Sequence, residues 1–143
     1  MKQNFESSIT VYKAEDMVLL GQITAQALQG NETIFLSGEL GSGKTTFAKG
    51  FGLAFEITEE IMSPTFVILR EYFGKNTLYH YDFYRFDSAG DLNTINFFDR
   101  MGHPGIKLVE WADKFPEIKD YADWIITFTI ISETIRQVNF YEG

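Results

Sequence analysis

The stretch Gly38-Glu39-Leu40-Gly41-Ser42-Gly43-Lys44-Thr45 fits the spacing G-x-x-x-x-G-K-[ST], a set of residue types suited to holding phosphate. Glycine, lacking a Cβ, lets backbone N–H groups point into one concavity and lets phosphate oxygens approach them closely. Lys44 supplies a cation for β- and γ-phosphates, and the hydroxyl of Thr45 suits Mg²⁺, which keeps most of its waters and takes few protein ligands. The residues from Gly38 through Thr46 are therefore the expected nucleotide cradle. Such a loop needs a strand before it and a helix behind it, whose N-terminal dipole also favours an anion. Thr33-Ile34-Phe35-Leu36-Ser37 is β-branched and apolar, and Thr46 to Phe51 carries Phe47 and Phe51 four apart, so both flanks fit.

A phosphate loop becomes a hydrolytic site only when a carboxylate from a neighbouring strand reaches the Mg²⁺ shell. Asp82 ends Leu78-Tyr79-His80-Tyr81-Asp82, and Glu110 ends Ile106-Lys107-Leu108-Val109-Glu110. Either strand could deliver its acid to the crevice where α/β sheets bind nucleotides, and strand position does not rank the two. A Glu has the added property that it can orient or activate an attacking water. Lys44, Glu110 and Asp82 are the expected catalytic set, and Thr45, Glu110 and Asp82 the expected Mg²⁺ neighbours. Period-two alternation puts His80 on the face of Asp82, where a lone histidine reads as structural. Arg85 reads as a surface or intramolecular ion-pair or interface residue, with a phosphate contact as the alternative, and Trp111, with the aromatic run from Tyr79 to Phe86, as packing or interface rather than base stacking.

The elements that must position these groups alternate in type. Ser7 to Tyr12 reads as a strand, and Ala14 to Gln29 as an amphipathic helix with Leu20, Ile23, Ala27 and Leu28 on one stripe, stopped by Gly30. Ser63-Pro64-Thr65 marks a fixed bend. Phe66 to Phe73 and Thr77 to Phe83 then form a hairpin around Gly74-Lys75-Asn76. Asp91 to Met101 reads as helical, Ile106 to Glu110 as a strand, and Ala112 to Tyr121 as a loose helical segment interrupted by Pro116. Trp124 to Ile131 and Ile135 to Tyr141 close the chain as a second hairpin. The expected fold class is α/β, a P-loop NTPase-like three-layer arrangement whose mixed sheet has a parallel core and antiparallel hairpins.

At 143 residues and 45% hydrophobic content the chain is expected to form one P-loop domain over residues 1–143, with a core of its own. No leader or apolar run of membrane-spanning length is seen, so a cytoplasmic protein without membrane contact is expected. With no cysteine and two separated histidines, disulfide frameworks and thiolate or histidine metal clusters are excluded. The formal charge of −8 repels a nucleic-acid backbone on average, which argues against DNA and leaves RNA contact to a partner.

Four blocks together, Gly38 to Thr46, Ser63-Pro64-Thr65-Phe66, His80-Tyr81-Asp82-Phe83-Tyr84-Arg85 and Leu108-Val109-Glu110-Trp111, resemble the TsaE (YjeE) family in order and spacing over nearly the whole chain. The resemblance implies an ATPase required for threonylcarbamoyladenosine modification of tRNA beside the anticodon, acting with TsaB-like and TsaD-like proteins and meeting tRNA only through that complex. It implies ATP and Mg²⁺ as cofactors, with Thr45 and Glu110 on the metal, Asp82 in the family's His-Phe-Asp position, and Ser63 to Thr65 as a switch near the γ-phosphate. One departure stands out: where the family carries an acidic pair and a glycine, this chain reads Asp91-Leu92-Asn93-Thr94-Ile95-Asn96. Asn96 can adopt the left-handed conformation a glycine would supply.

Two other classes compete. A small P-loop kinase would hold its phosphoryl group with clustered arginines, and Arg70, Arg85, Arg100 and Arg136 are scattered; a GTPase would need Asp-x-x-Gly at the candidate acid, where Asp82-Phe83-Tyr84-Arg85 stands instead, and an Asn-Lys-x-Asp segment, which is missing. A scaffold that binds nucleotide without hydrolysing it remains an alternative. With no arginine placed as a finger, turnover is expected to be slow alone and faster with a partner.

Overall fold

The computed structural model describes residues 4–143. Strands β1 (Asn4–Val11), β2 (Thr33–Ser37), β3 (Leu69–Phe73), β4 (Thr77–Asp82), β5 (Ile106–Glu110), β6 (Trp124–Ile130) and β7 (Arg136–Glu142) form one sheet in the order β1-β7-β6-β2-β5-β4-β3. β6, β2, β5 and β4 run parallel, while β7 on β6, β1 on β7 and β3 on β4 are antiparallel. The expected mixed sheet is thus present, with its parallel part centred on the strand that feeds the glycine loop.

Alternation sorts the strand residues onto two faces. Ile34, Leu36, Leu78, Ile106, Leu108 and Ile126 meet helices α1 (Ala14–Ala27) and α2 (Lys44–Ala54), and Phe35, Tyr79, Tyr81 and Val109 meet the short helical segments on the other side. Those segments are α3 (Phe97–Arg100) and the 3₁₀ turns Ala89–Ile95, Ala112–Lys114 and Pro116–Tyr121. Pro116 starts the last of these, where its missing N–H costs nothing. Phe47 and Phe51 of α2 and Phe55 just beyond it meet in tilted and edge-on contacts at 5.5 and 6.0 Å between ring centroids, and Phe47 meets Phe128 of β6 at 5.3 Å, which anchors α2 to the sheet. No helix among the described residues is long and apolar enough to cross a membrane.

Three expectations about local structure change. The fully buried stripe of α1 is Met17, Gly21 and Ala25; of the expected stripe, Leu20 and Leu28 are half-buried against the core while Ile23 and Ala27 are exposed. The reason is a close backbone approach: a Cβ on Gly21 would collide with the Phe47 carbonyl, and one on Gly50 with the Val18 carbonyl, so α1 turns its small residues to α2. The larger residues border an open groove beside Trp124 and Phe140. The helix also ends at Ala27, before Gly30.

The strand expected from Phe66 begins only at Leu69, because Val67 and Ile68 donate their amides to the Pro64 carbonyl and Ile68 turns to φ 71°. The helix expected over Asp91 to Met101 is broken at Asn96, which takes φ 53° and ψ 41° between the 3₁₀ turn and α3. Asn96 thus takes the left-handed conformation a glycine would supply, and Asp91 caps its own turn by accepting from the Asp87 and Ser88 amides.

The α1/α2 contact gives a stability prediction. Gly50→Ala should lower the unfolding free energy by about 1–3 kcal/mol through overpacking, measured by urea denaturation. Lys49→Ala, one residue earlier on the exposed side of α2, should change it by about 0.5 kcal/mol or less.

Candidate functional site

The parallel strands bring their C-terminal ends together, and there the glycine loop leaves β2. Gly41 and Gly43 take φ 80° and 110°, values that would strain any residue with a Cβ, and Gly43 passes the chain directly into α2. Asp82 pairs with Glu110 across β4 and β5, and Glu110 with Leu36 across β5 and β2, so both acids end up beside the loop. A cleft of about 550 Å³ is lined by Gly41, Gly43, Lys44, Thr45, Thr46, Ser63, Thr65, Asp82, Tyr84, Glu110 and Trp111, with Glu39 and Leu40 at the loop tip. Residues expected to act together, including the Ser63–Thr65 bend, therefore face one volume. Gly38 lines an adjoining hollow with Lys44 and Trp111, and Ser42 is fully buried.

Lys44 is buried at the base of the cleft. Its Nζ donates to the Gly38 carbonyl, lies 3.4 Å from Glu110 Oε1 and sits 5.7 Å from the centroid of the Trp111 ring. Glu110 Oε2 accepts from His80 Nε2 at 2.7 Å. Burial pushes the Glu110 carboxyl up, but the His80 hydrogen bond and charge, with the Lys44 ammonium, outweigh it and hold the group below the ordinary carboxylate value. An ionised Glu110 is an acceptor only, so His80 Nε2 carries a proton. His80 is itself completely buried, and its Nδ1 has no partner among the described residues.

Asp82 has a separate set of contacts. Its Oδ2 accepts from the Thr65 hydroxyl at 2.9 Å and its Oδ1 from the Tyr84 amide at 2.8 Å. Thr65 Oγ1 is 2.8 Å from Ser63 Oγ, so Asp82 ties down the proline bend through two hydroxyls. Arg70 Nε donates to the Ser63 carbonyl and Arg85 Nη1 to the Phe66 carbonyl, bracing the same segment. Arg85 is thereby a backbone brace rather than the expected member of an ion pair, because the carbonyl at Phe66 is left free by the turn. Trp111, at φ 61°, packs on Tyr84 with ring centroids 5.0 Å apart, consistent with a packing role at the cleft rim.

Two residues gain importance from the structure. His80 had a sequence signal, its shared face with Asp82, but nothing in spacing showed that it would meet Glu110 thirty residues on. Arg136 had none: it starts β7, yet its guanidinium reaches the Gly41 carbonyl at 3.1 and 3.3 Å.

Hard oxygen donors from Thr45, Asp82 and Glu110 on one cleft wall, a buried lysine and a glycine loop at the end of the central strand define a three-layer α/β protein of the P-loop NTPase-like fold. The family model described as "Threonylcarbamoyl adenosine biosynthesis protein TsaE" matches residues 11–138. A Treponema pallidum protein named for the same role is 33% identical over 87% of this chain and 93% of its own length. One from Aquifex aeolicus is 35% identical over 89% and 90%. The crystal structure of Bacillus subtilis YdiB superposes with a TM-score of 0.73 at 28% identity, covering 99% of this chain and 86% of that one. The chain belongs to the TsaE family, which is involved in threonylcarbamoyladenosine biosynthesis of tRNA.

The Glu110 contacts predict a pH dependence of stability. A carboxyl held low in the folded state stabilises the protein above its unfolded value, and that contribution drains away as pH falls through the lower folded value. Urea unfolding followed from about pH 7 to about pH 3 should therefore show a shallower acid decline for Glu110→Gln than for the parent protein; identical slopes would show that Glu110 is not held by Lys44 and His80.

Proposed function

We propose that the protein binds ATP with Mg²⁺ in this cleft and hydrolyses it in the service of tRNA threonylcarbamoyladenosine formation, together with TsaB-like and TsaD-like partners. The observation that carries the proposal is the convergence of Lys44, Glu110 and Asp82 on the cleft entered by the glycine loop. The reading is further supported by membership of a family named for this modification.

In this reading Lys44 exchanges its present contacts with the Gly38 carbonyl and Glu110 for the β- and γ-phosphates. Thr45 and one or both carboxylates hold the cation, whose oxygen preference they satisfy and whose charge, when bound, adds to that of Lys44 in neutralising the phosphates. The two acids divide the work. Glu110, ionised and aimed by His80, orients water for in-line attack on the γ-phosphate. Asp82 couples the cleft to the Ser63–Thr65 switch by its bond to Thr65, so a ligand that competes for Asp82 also releases or re-seats the bend.

Every arginine is already engaged: Arg70 with the Ser63 carbonyl, Arg85 with that of Phe66, Arg100 with Glu71, and Arg136 with that of Gly41. None stands over the cleft as a finger, which favours slow turnover in isolation and speaks against the kinase alternative, where arginines would clamp the transferred group. The acidic balance of the chain puts tRNA on the partners rather than on this surface.

Phosphate release should be titrated with the TsaB-like and TsaD-like proteins, with and without tRNA; turnover of the isolated protein equal to that of the assembly would defeat the partner-stimulated reading, and none in either would favour a nucleotide-dependent scaffold. Lys44→Ala should abolish nucleotide binding, while Glu110→Gln should lower kcat by about a hundredfold with affinity changed far less.

A further inference from the structure

The Gly41–Ser42 peptide is gripped at both ends. Its N–H, on Ser42, donates to the Glu39 carbonyl at 3.0 Å, and its carbonyl, on Gly41, accepts from Arg136 Nε at 3.3 Å and from Nη2 at 3.1 Å. The third guanidinium nitrogen, Nη1, donates to the carbonyls of Ser132, Glu133 and Ile135 in the turn between β6 and β7. Arg136 is in turn fixed by register, since it pairs with Ile130 on one side and Val11 on the other. A planar fork with donors on three nitrogens can join two loops in this way; a lysine ammonium cannot hold the same set of carbonyls at once.

The grip matters because of where it falls. Gly41 sits at φ 80° with nothing near the space a Cβ would fill, so on the Gly41 side no side-chain packing restrains that peptide, although Ser42 beyond it is buried. A peptide that turns over at this point breaks the Ser42 N–H bond to the Glu39 carbonyl and with it the shape of the loop whose concavity would receive phosphate.

We infer that Arg136 is a positioning residue for the phosphate loop: through its guanidinium the β6–β7 turn, some ninety residues downstream, sets the orientation of the Gly41–Ser42 peptide and so preorganises the loop for a nucleoside polyphosphate. The inference rests on the nucleotide-binding reading of the same cleft. Arg136 touches no reacting atom in this scheme; it acts by removing a conformational cost that the ligand would otherwise meet on binding.

The test compares Arg136→Lys and Arg136→Met with the parent and with Lys44→Ala, using the full chain. Three quantities are read: affinity for a fluorescent ADP analogue with Mg²⁺, the thermal midpoint, and amide hydrogen exchange of residues 39–43 without nucleotide. Both Arg136 variants should bind the analogue about five- to tenfold more weakly, the equivalent of losing one or two hydrogen bonds. Loop exchange should quicken while exchange in β2 and α2 and the thermal midpoint stay near the parent's. Unchanged affinity in both Arg136 variants, with binding lost in Lys44→Ala, would overturn the inference and leave the nucleotide reading intact. Weaker binding accompanied by an equal loss of protection across β6, β7 and the loop would also overturn it, as general destabilisation. If Lys44→Ala binds the analogue normally, the nucleotide reading falls instead, and loop exchange in the Arg136 variants still decides whether the guanidinium holds the peptide.

Discussion

A buried chain of charge and hydrogen bonding, Lys44 to Glu110 to His80, links the first turn of α2 to the ends of β5 and β4. Three ionisable side chains with almost no solvent contact are costly to bury unless each meets a partner, so the links constrain one another. Removing Glu110 would leave an ammonium without its nearest anion and a histidine N–H without its acceptor. The phosphate loop is thereby tied to the sheet through its lysine as well as through the backbone of β2.

Around that chain the molecule uses two kinds of stiffness. The helix side is held by contact: small residues let α1 and α2 meet backbone to backbone, and a row of phenylalanines fixes α2 on the sheet. The rim of the cleft is held mainly by hydrogen bonds to main-chain carbonyls, from Arg70, Arg85 and Arg136, and from Lys114 to the carbonyls of Tyr84 and Phe86. Packing gives a rigid floor, whereas solvent-accessible bonds can be exchanged at modest cost. The cleft thus sets a buried lysine beside a Ser63–Thr65 bend that is held by hydroxyl hydrogen bonds to Asp82.

The glycine loop, its flanking strand and helix, both candidate acids and the terminal hairpin were legible because each is signalled by residues close together in the chain. Hydrophobic periodicity misplaced the buried face of α1: Leu19 and Ile23 lie outward and Leu20 is only half-buried, since backbone proximity to α2 selects Gly21 and Ala25 beside Met17. Propensity failed at Phe66 to Ile68, where an apolar, strand-like run is bent by hydrogen bonds to Pro64 and held by Asp82 through Thr65. In the 89–101 segment Asn96 did signal its own left-handed turn, but whether that turn would break a helix depended on the packing of Leu92 and Phe97 against the aromatic layer.

Local order in this protein follows from short-range chemistry: glycines at fixed offsets, a lysine and a threonine opening a helix, and carboxylates closing two apolar strands are sufficient to announce an α/β design with a glycine loop at the end of a central strand. The partnerships are a different matter. That Glu110 rather than Asp82 meets Lys44, that His80 aims it, that Asp82 instead restrains Thr65, and that Arg136 holds Gly41 all arise from strand order and register. Such contacts join residues far apart in the chain, and no periodicity or motif encodes them, because they exist only once β4, β5 and β2, with β6 and β7 on the other side of β2, are aligned side by side.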